Sequence, residues 1–103
     1  MSVANLPINI DPDKIADFCR ARGIRKLRLF GSVLRDDFVP GRSDVDVIVD
    51  FVPGQRPGWE FFGWQEDLAS IFVHKVDLHT AESISPRFRD AALQNALTLY
   101  EQA

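Results

Sequence analysis

One stretch decides the fold: residues 31–51, which run GSVLRDDFVPGRSDVDVIVDF. Its second half alternates, with an apolar set at Val45, Val47, Val49 and Phe51. This alternation predicts a half-buried strand, because successive side chains of a strand point to opposite faces. Residues 37–43 contain a proline and a glycine and predict a loop, and Gly31-Ser32 ends an earlier strand. The stretch therefore predicts two strands joined by a turn and a loop, with one helical turn at residues 33–36.

The segments on either side alternate between helical and strand-like patterns. Asp11-Pro12 predicts a helix start, since Asp caps free N–H groups and Pro fits the first helical position, and Gly23 predicts the helix end. The remaining elements are a strand at residues 24–30, a helix at 59–72, a short strand at 75–79 and a last amphipathic helix at 88–100. We therefore predict a two-layer α+β fold, in which helices cover one face of a small mixed sheet of at least three strands.

Composition places the chain among small globular domains. With 103 residues, 46% of them hydrophobic and 26% charged, it has room for one soluble domain over residues 1–103. A single Cys excludes an internal disulfide and favours a reducing, cytoplasmic compartment. We expect no signal peptide, and no membrane helix, because no apolar run approaches the roughly 18 residues required. The formal net charge of −3 argues against direct DNA binding through a basic surface.

Acidic side chains on the predicted strands are the strongest chemical signal. Asp44 and Asp46 are two residues apart, so a strand would place them on one face, roughly 6 to 7 Å apart. Asp is disfavoured in strands and two anions on one face repel each other, a conflict that a divalent cation such as Mg²⁺ removes. Asp77 lies between two apolar residues of the next strand. If those two face the core, Asp77 faces the same side as Asp44 and Asp46.

Gly31-Ser32 can complete such a site. Glycine lets the backbone come close to a ligand, and amides at the start of a helical turn point toward an anion. Ser32 adds a hydroxyl donor. A turn that holds phosphates, placed beside three carboxylates, is the arrangement needed for two-metal phosphoryl transfer.

Each feature alone also fits a simpler explanation. Gly31-Ser32 by itself fits an ordinary turn at the end of a strand. Asp44 and Asp46 by themselves fit solvent-facing positions that stay hydrated. The combination of the turn, the paired carboxylates and the third carboxylate is what favours a functional site.

Three more residues are candidates near such a site. Arg35 and Arg42 flank the loop, and a guanidinium matches phosphate oxygens, so either can contact a triphosphate. The alternative is solvated surface charge, or an ion pair with Asp36 or Asp37. His79 follows Asp77 on the same predicted face and fits either a general base or a polar residue at a strand end.

The predicted helix at 59–72 carries an unusual density of large rings, at Trp59, Phe61, Phe62 and Trp64. Four rings within six residues exceed what one helical stripe can bury. We expect some of them to be exposed, as a patch for a partner protein or for stacking on adenine.

The run from Gly31-Ser32 to Asp44-Val45-Asp46 resembles the signature of the DNA polymerase β-like nucleotidyltransferases. Lys75-Val76-Asp77-Leu78 resembles the strand that supplies the third carboxylate of that family. More narrowly, the chain is similar to the minimal nucleotidyltransferases that prokaryotes encode beside HEPN-domain toxins. The resemblance spans most of the chain, because its later helical segments also match.

This resemblance implies a nucleotidyltransferase fold and the transfer of AMP from ATP to an acceptor hydroxyl with a pair of Mg²⁺ ions. It implies that Gly31 and Ser32 hold the β- and γ-phosphates and that Asp77 helps to deprotonate the acceptor. The set that it implies is Gly31 and Ser32 for the nucleotide, and Asp44, Asp46 and Asp77 for catalysis and metal. Arg35 and Arg42 remain nucleotide-binding candidates on their own chemistry.

The resemblance also implies a partner. It suggests an antitoxin that attaches AMP to a tyrosine of a HEPN toxin and forms a hetero-oligomer with it. So short a chain leaves little material for an acceptor site, which fits an acceptor supplied by another protein. Two alternatives stay open: a non-catalytic antitoxin that neutralises its partner by binding, and a transferase for a small molecule such as an antibiotic.

Overall fold

The computed structural model describes residues 6–35, 38, 39 and 41–102. Within these ranges lie three α-helices and four strands. In chain order they are α1 (Pro12–Arg22), β1 (Ile24–Phe30), β2 (Val45–Phe51), α2 (Phe61–Phe72), β3 (Val76–Thr80), α3 (Pro86–Gln94) and β4 (Leu97–Glu101). Short 3₁₀ turns follow β1 at Gly31–Leu34 and β3 at Ala81–Ser83. In the described part of the chain, no helix has the length and apolar character to cross a membrane.

The four strands form one mixed sheet in the order β3-β2-β1-β4. β1 runs antiparallel to both β2 and β4, whereas β2 and β3 are parallel. At the β3 edge, Gln65 of α2 accepts a hydrogen bond from the Leu78 N–H at 2.9 Å. This architecture confirms the predicted α+β class and mixed sheet.

The main core lies between one face of the sheet and the helices α1 and α2. β2 supplies its valines, Val45, Val47 and Val49, which are at most 1% exposed. Phe18 of α1 and Trp64 of α2 meet edge to face, with ring centroids 6.2 Å apart. The alternating half of the deciding stretch therefore forms the centre of the core, as its pattern predicts.

Local chemistry fixes the ends of α1. Asp11 caps the helix through Oδ1, which accepts a hydrogen bond from the Lys14 N–H at 3.2 Å. Gly23 ends it in the left-handed region at φ 69°, where its N–H donates to the Cys19 carbonyl. β1 begins at the next residue, so this cap sets where the sheet starts.

The opposite face of the sheet is partly covered as well. Ile48, which points away from the three valines, packs with Phe30, Ile84 and Ala92 in a second, smaller cluster. Ala92 belongs to α3, so this helix covers part of the polar face. The segregation of polar residues along the strands did not indicate that cover.

The prediction of a helix through residues 88–100 is wrong in its second half. α3 ends at Gln94, and residues 97–101 form β4, which pairs with β1. Leu97 lies opposite Leu29 and Tyr100 opposite Leu27, with a register shift between these pairs, and Leu97, Leu99 and Tyr100 all pack against the main core. Such apolar and aromatic residues also suit a strand. The unpaired edge of β1 decides between the two, because pairing satisfies its backbone groups.

Candidate active site

Parallel pairing of β2 with β3 brings the two central carboxylates together. In this register Asp46 lies directly opposite Asp77, and Ile48 opposite His79. Side chains two apart share a face, so Asp46, Asp77 and His79 all project from the same side of the sheet. One ligand atom from each lies within 4.8 Å of the other two.

The imidazole of His79 lies against both acids. Its Nε2 atom is 3.1 Å from Oδ2 of Asp77 and 3.9 Å from Oδ1 of Asp46. On its other side, the ring of Phe30 meets the imidazole edge to face, with centroids 5.5 Å apart. The strand position and the Phe30 contact together orient Nε2 toward the carboxylates.

Gly31 allows the backbone to pass close to this group. Its φ of +79° lies in the left-handed region, and a Cβ atom there would be 2.5 Å from Oδ2 of Asp46. A side chain fits there only if the Asp46 carboxylate moves, so both the backbone conformation and the position of that carboxylate favour glycine. The turn after β1 and the carboxylate on β2 therefore form one continuous surface.

The electrostatics of Asp46 favour a cation. Burial raises the pKa of its carboxyl group above the usual value, and the nearby charges of Asp77 and Asp44 raise it further. His79 and Arg35 act in the opposite direction without cancelling the increase. A divalent cation between the carboxylates would remove this repulsion, and oxygen ligands suit Mg²⁺. The donor set therefore fits a metal ion.

A cavity of about 460 Å³ opens over these residues. Its polar wall consists of Gly31, Ser32, Arg35, Asp46, Asp77, His79 and Ser83, and its apolar wall of Phe30, Ile84 and Phe88. Phe88 is 59% exposed, so a large apolar ring borders the cavity on its solvent side. The cavity thus combines charged residues, at Arg35, Asp46 and Asp77, with an aromatic rim formed by the exposed ring of Phe88.

Asp44 does not join the cluster that its spacing predicts. Among the described residues, the group that converges contains Asp46, Asp77 and His79, and Asp44 stays outside it. β2 begins at Val45, so Asp44 precedes the strand and strand alternation does not fix its direction. It lies close enough for its charge to raise the pKa of Asp46.

The two arginines differ in position. Arg35 lines the cavity, and its charge lowers the pKa of Asp46. Arg42 is exposed in the turn before β2, where its N–H donates to the Val39 carbonyl at 3.0 Å, and it does not line the cavity. The alternative ion pairs with Asp36 or Asp37 lie outside the described residues.

Sequence reasoning missed the residues that close the cavity. Ser83, Ile84 and Phe88 follow β3 and reach the site because α3 folds back across the polar face. Nothing in their local pattern marks them. Another cavity, of about 500 Å³, shares Gly31 and Arg35 with the first and is lined also by Leu34, Asn95, Ala96 and Leu97. The predicted helix over residues 88–100 gave no indication of this second cavity, because Leu97 lines it from β4.

The sequence matches the family of nucleotidyltransferase domains over residues 12–99. No curated protein sequence matches it. The fold is similar to that of a solved protein assigned as a minimal nucleotidyltransferase, which is 27% identical with a TM-score of 0.68, covering 84% of this chain and 86% of that one.

Two further similar structures come from toxin–antitoxin systems. One, solved with AMP-PNP, is 21% identical with a TM-score of 0.70, and the match covers 90% of this chain and 75% of that one. The other, a mutant of the MntA–HpeT pair, is 19% identical with a TM-score of 0.69 and the same coverage of 90% and 75%. At these identities the likeness is one of fold.

Proposed function

This chain belongs to the nucleotidyltransferase domain family, and on that premise we propose that it transfers the AMP unit of ATP to a hydroxyl of a partner protein. The acceptor is a tyrosine of a HEPN-domain toxin, and the chain acts as the antitoxin in a hetero-oligomer with it. The toxin–antitoxin structures of similar fold support this partner class, and the one with AMP-PNP supports ATP as donor.

One observation carries the proposal: Asp46 and Asp77 lie opposite each other on two parallel strands, beside Gly31, whose lack of a side chain lets the backbone pass close to Asp46. The carboxylates offer a place for cations and the turn offers room for phosphates. Nucleotidyl transfer needs the cation site and the phosphate site close enough together to act on the same nucleotide.

In the proposed reaction, the acceptor oxygen attacks the α-phosphorus of ATP. A bond forms between that oxygen and the phosphorus, the bond from the α-phosphorus to the bridging oxygen breaks, and pyrophosphate leaves with the electron pair. Asp77 accepts the hydroxyl proton, a role that suits it because its side chain is 49% exposed against 27% for Asp46. Its carboxylate faces the cavity and can meet an acceptor that arrives from solvent.

The other residues hold the nucleotide. Gly31 and Ser32 receive the β- and γ-phosphates, the serine through its hydroxyl, and Arg35 supplies positive charge at the cavity wall. Arg42 does not line the cavity, so Arg35 is the arginine that the geometry favours for the nucleotide. Mg²⁺ held by Asp46 and Asp77, with Asp44 beside them, would orient the triphosphate and activate the acceptor hydroxyl.

The aromatic rim favours a protein acceptor. Phe88 lies exposed on the cavity that also contains Asp77, with Ile84 next to it. An incoming tyrosine ring can pack against Phe88 and place its hydroxyl over the carboxylates, since aromatic pairs are favourable beyond the area that they bury.

Labelling tests the transfer directly. The purified chain is incubated with ATP labelled at the α-phosphate, Mg²⁺ and the toxin encoded beside it. We expect label on the toxin, lost when Asp46→Asn replaces the wild type. Wild-type chain that binds the toxin but leaves it unlabelled would refute the catalytic proposal. Neutralisation of the toxin in cells by Asp46→Asn at equal expression would favour inhibition by binding alone.

Substitution of two exposed phenylalanines tests whether Phe88 contacts the acceptor. Phe88→Ala should raise KM for the toxin by about five- to tenfold, the loss expected for one contact residue worth about 1 kcal/mol or slightly more. Phe62 of α2 is also exposed, at 74%, but does not line the cavity. Phe62→Ala is therefore the matched control, and a larger effect there would place toxin recognition on α2 instead.

A further inference from the structure

The donor atoms that converge in this site are not all oxygens. Two carboxylates and one imidazole nitrogen lie within 4.8 Å of one another, whereas a third carboxylate, Asp44, stays outside the group. Nε2 of His79 faces Oδ2 of Asp77 at 3.1 Å and Oδ1 of Asp46 at 3.9 Å. These distances are short enough for all three atoms to bind one ion.

The fold holds the imidazole in that position. His79 is on β3, in register with Ile48, so its side chain must leave the sheet on the face that carries Asp46 and Asp77. Phe30 contacts the ring edge to face and limits its rotation. Only 30% of the His79 side chain is exposed, which keeps Nε2 directed at the acids instead of at solvent.

The proposed function requires a cation, and the following inference rests on it. We propose that His79 binds that cation through Nε2, together with Asp46 and Asp77. This nitrogen ligand makes the site favour Mn²⁺ over Mg²⁺. Mg²⁺ selects oxygen ligands and water and binds imidazole poorly. Carboxylates suit Mn²⁺ as well, but Mn²⁺ belongs to the first-row series whose divalent ions also accept nitrogen ligands, so an added imidazole benefits Mn²⁺ more than Mg²⁺. A site of two carboxylates and one imidazole therefore discriminates in favour of the transition metal.

The histidine content of the chain makes the test unusually clean. There are two histidines, His74 and His79. His74 lies in the turn before β3, with its ring against Phe38 and its Nδ1 at the Lys75 carbonyl. In an untagged protein loaded with Mn²⁺, electron spin-echo envelope modulation from a coordinated imidazole nitrogen can arise only from these two residues.

We expect nitrogen modulation in the wild type and in His74→Gln, and its loss in His79→Gln. His79→Asp supplies an oxygen in place of the nitrogen, so it should still bind Mn²⁺ without the modulation. By calorimetry, His79→Gln should lower Mn²⁺ affinity by about 10-fold or more, and Mg²⁺ affinity by less. Circular dichroism on each variant checks that it is folded.

Three results would overturn the proposal: no Mn²⁺ binding by the wild type, bound Mn²⁺ without nitrogen modulation, or modulation that survives in His79→Gln. None of them touches the transfer reaction, because labelling of the toxin with Mg²⁺ is measured separately. Conversely, if the chain binds Mn²⁺ through an imidazole nitrogen but labels no acceptor, the proposed metal site is supported and the proposed transfer reaction is refuted.

Discussion

Asp46 and Asp50 lie on the same face of the same strand, yet their surroundings differ completely. Asp50 pairs with Arg28 of β1, with Oδ2 and Nη1 3.3 Å apart and both side chains less than 20% exposed. Asp46 lies opposite another carboxylate, Asp77, and its pKa is raised. One end of the strand therefore carries a carboxylate that the fold neutralises, and the other carries two that it brings together.

The partners of the two aspartates distinguish a structural charge from a functional one, which their sequence positions alone do not. A half-buried acid with a fixed arginine contributes to stability and has little left to offer a ligand. Two facing acids destabilise the chain until a cation arrives, and such unfavourable pairs occur where function requires them. Replacing Asp46 should therefore reduce activity and raise stability, whereas replacing Asp50 should leave activity nearly unchanged and lower stability.

The largest expected effect is on transfer. Asp46→Asn should reduce the rate of toxin labelling by at least about 100-fold, the size of loss seen when one electrostatic stabiliser of a transition state is removed. Asp50→Asn removes the same charge from the same face and should retain a rate within about threefold of wild type, since Asp50 does not line the cavity. Equal losses in both variants would show that net charge, and not the site, controls the reaction.

The second prediction concerns how closely the turn approaches Asp46. Gly31→Ala places a Cβ at 2.5 Å from Oδ2 and should displace the carboxylate, with a loss of about 10- to 100-fold in transfer. Gly54 has a similar φ of +85° but nothing within 4 Å of an added Cβ. Both variants carry the backbone strain, about 1 kcal/mol, so they should lose similar stability.

Only Gly31→Ala should lose activity, as measured by labelling at a temperature where both variants are folded. Loss of activity in Gly54→Ala to the same degree would mean that backbone strain, and not the contact with Asp46, is responsible. This pair therefore isolates the role of the carboxylate position from that of the glycine conformation.

The elements around Asp46 and Asp50 could be predicted from local pattern because local chemistry sets them. β2 follows from its alternating valines, and α1 from the Asp11 cap and the Gly23 stop. The same alternation predicted that Asp77 faces away from the core, and parallel pairing then placed it opposite Asp46. Four neighbouring rings at residues 59–64 predicted that some would be exposed, and Trp59, just before α2, and Phe62 are 87% and 74% exposed.

What the sequence could not provide depends on long-range packing. Residues 97–101 suit a helix or a strand locally, and the free edge of β1 selects the strand. Asp44 has the spacing of a strand residue but lies before the strand begins. Phe88 reaches the site only because α3 crosses the polar face, and His79 gains importance only from the register of β3 with β2.

The smallest effects are on stability, and here the two aspartates should differ in sign. Asp50→Asn leaves Arg28 half-buried without its partner and should cost about 1–2 kcal/mol, between the values for exposed and buried ion pairs. For a chain of this size that lowers Tm by about 4–8 °C per kcal/mol. Asp46→Asn removes a charge that burial and Asp77 disfavour, so in the presence of a chelator it should raise Tm at pH 7.

The pH dependence checks the cause. The folded state holds a proton on Asp46 more tightly than the unfolded chain does, so the wild type loses stability as pH rises through the raised pKa. Below the pKa of an unfolded Asp, about 3.9, the carboxyl is neutral in both states and resembles the amide. The Tm advantage of Asp46→Asn should therefore be present at pH 7 and shrink as pH falls toward 4. Thermal unfolding from pH 4 to 7 measures this difference in Tm. If the difference is constant over the range, its cause is the packing of the amide and not the charge that faces Asp77.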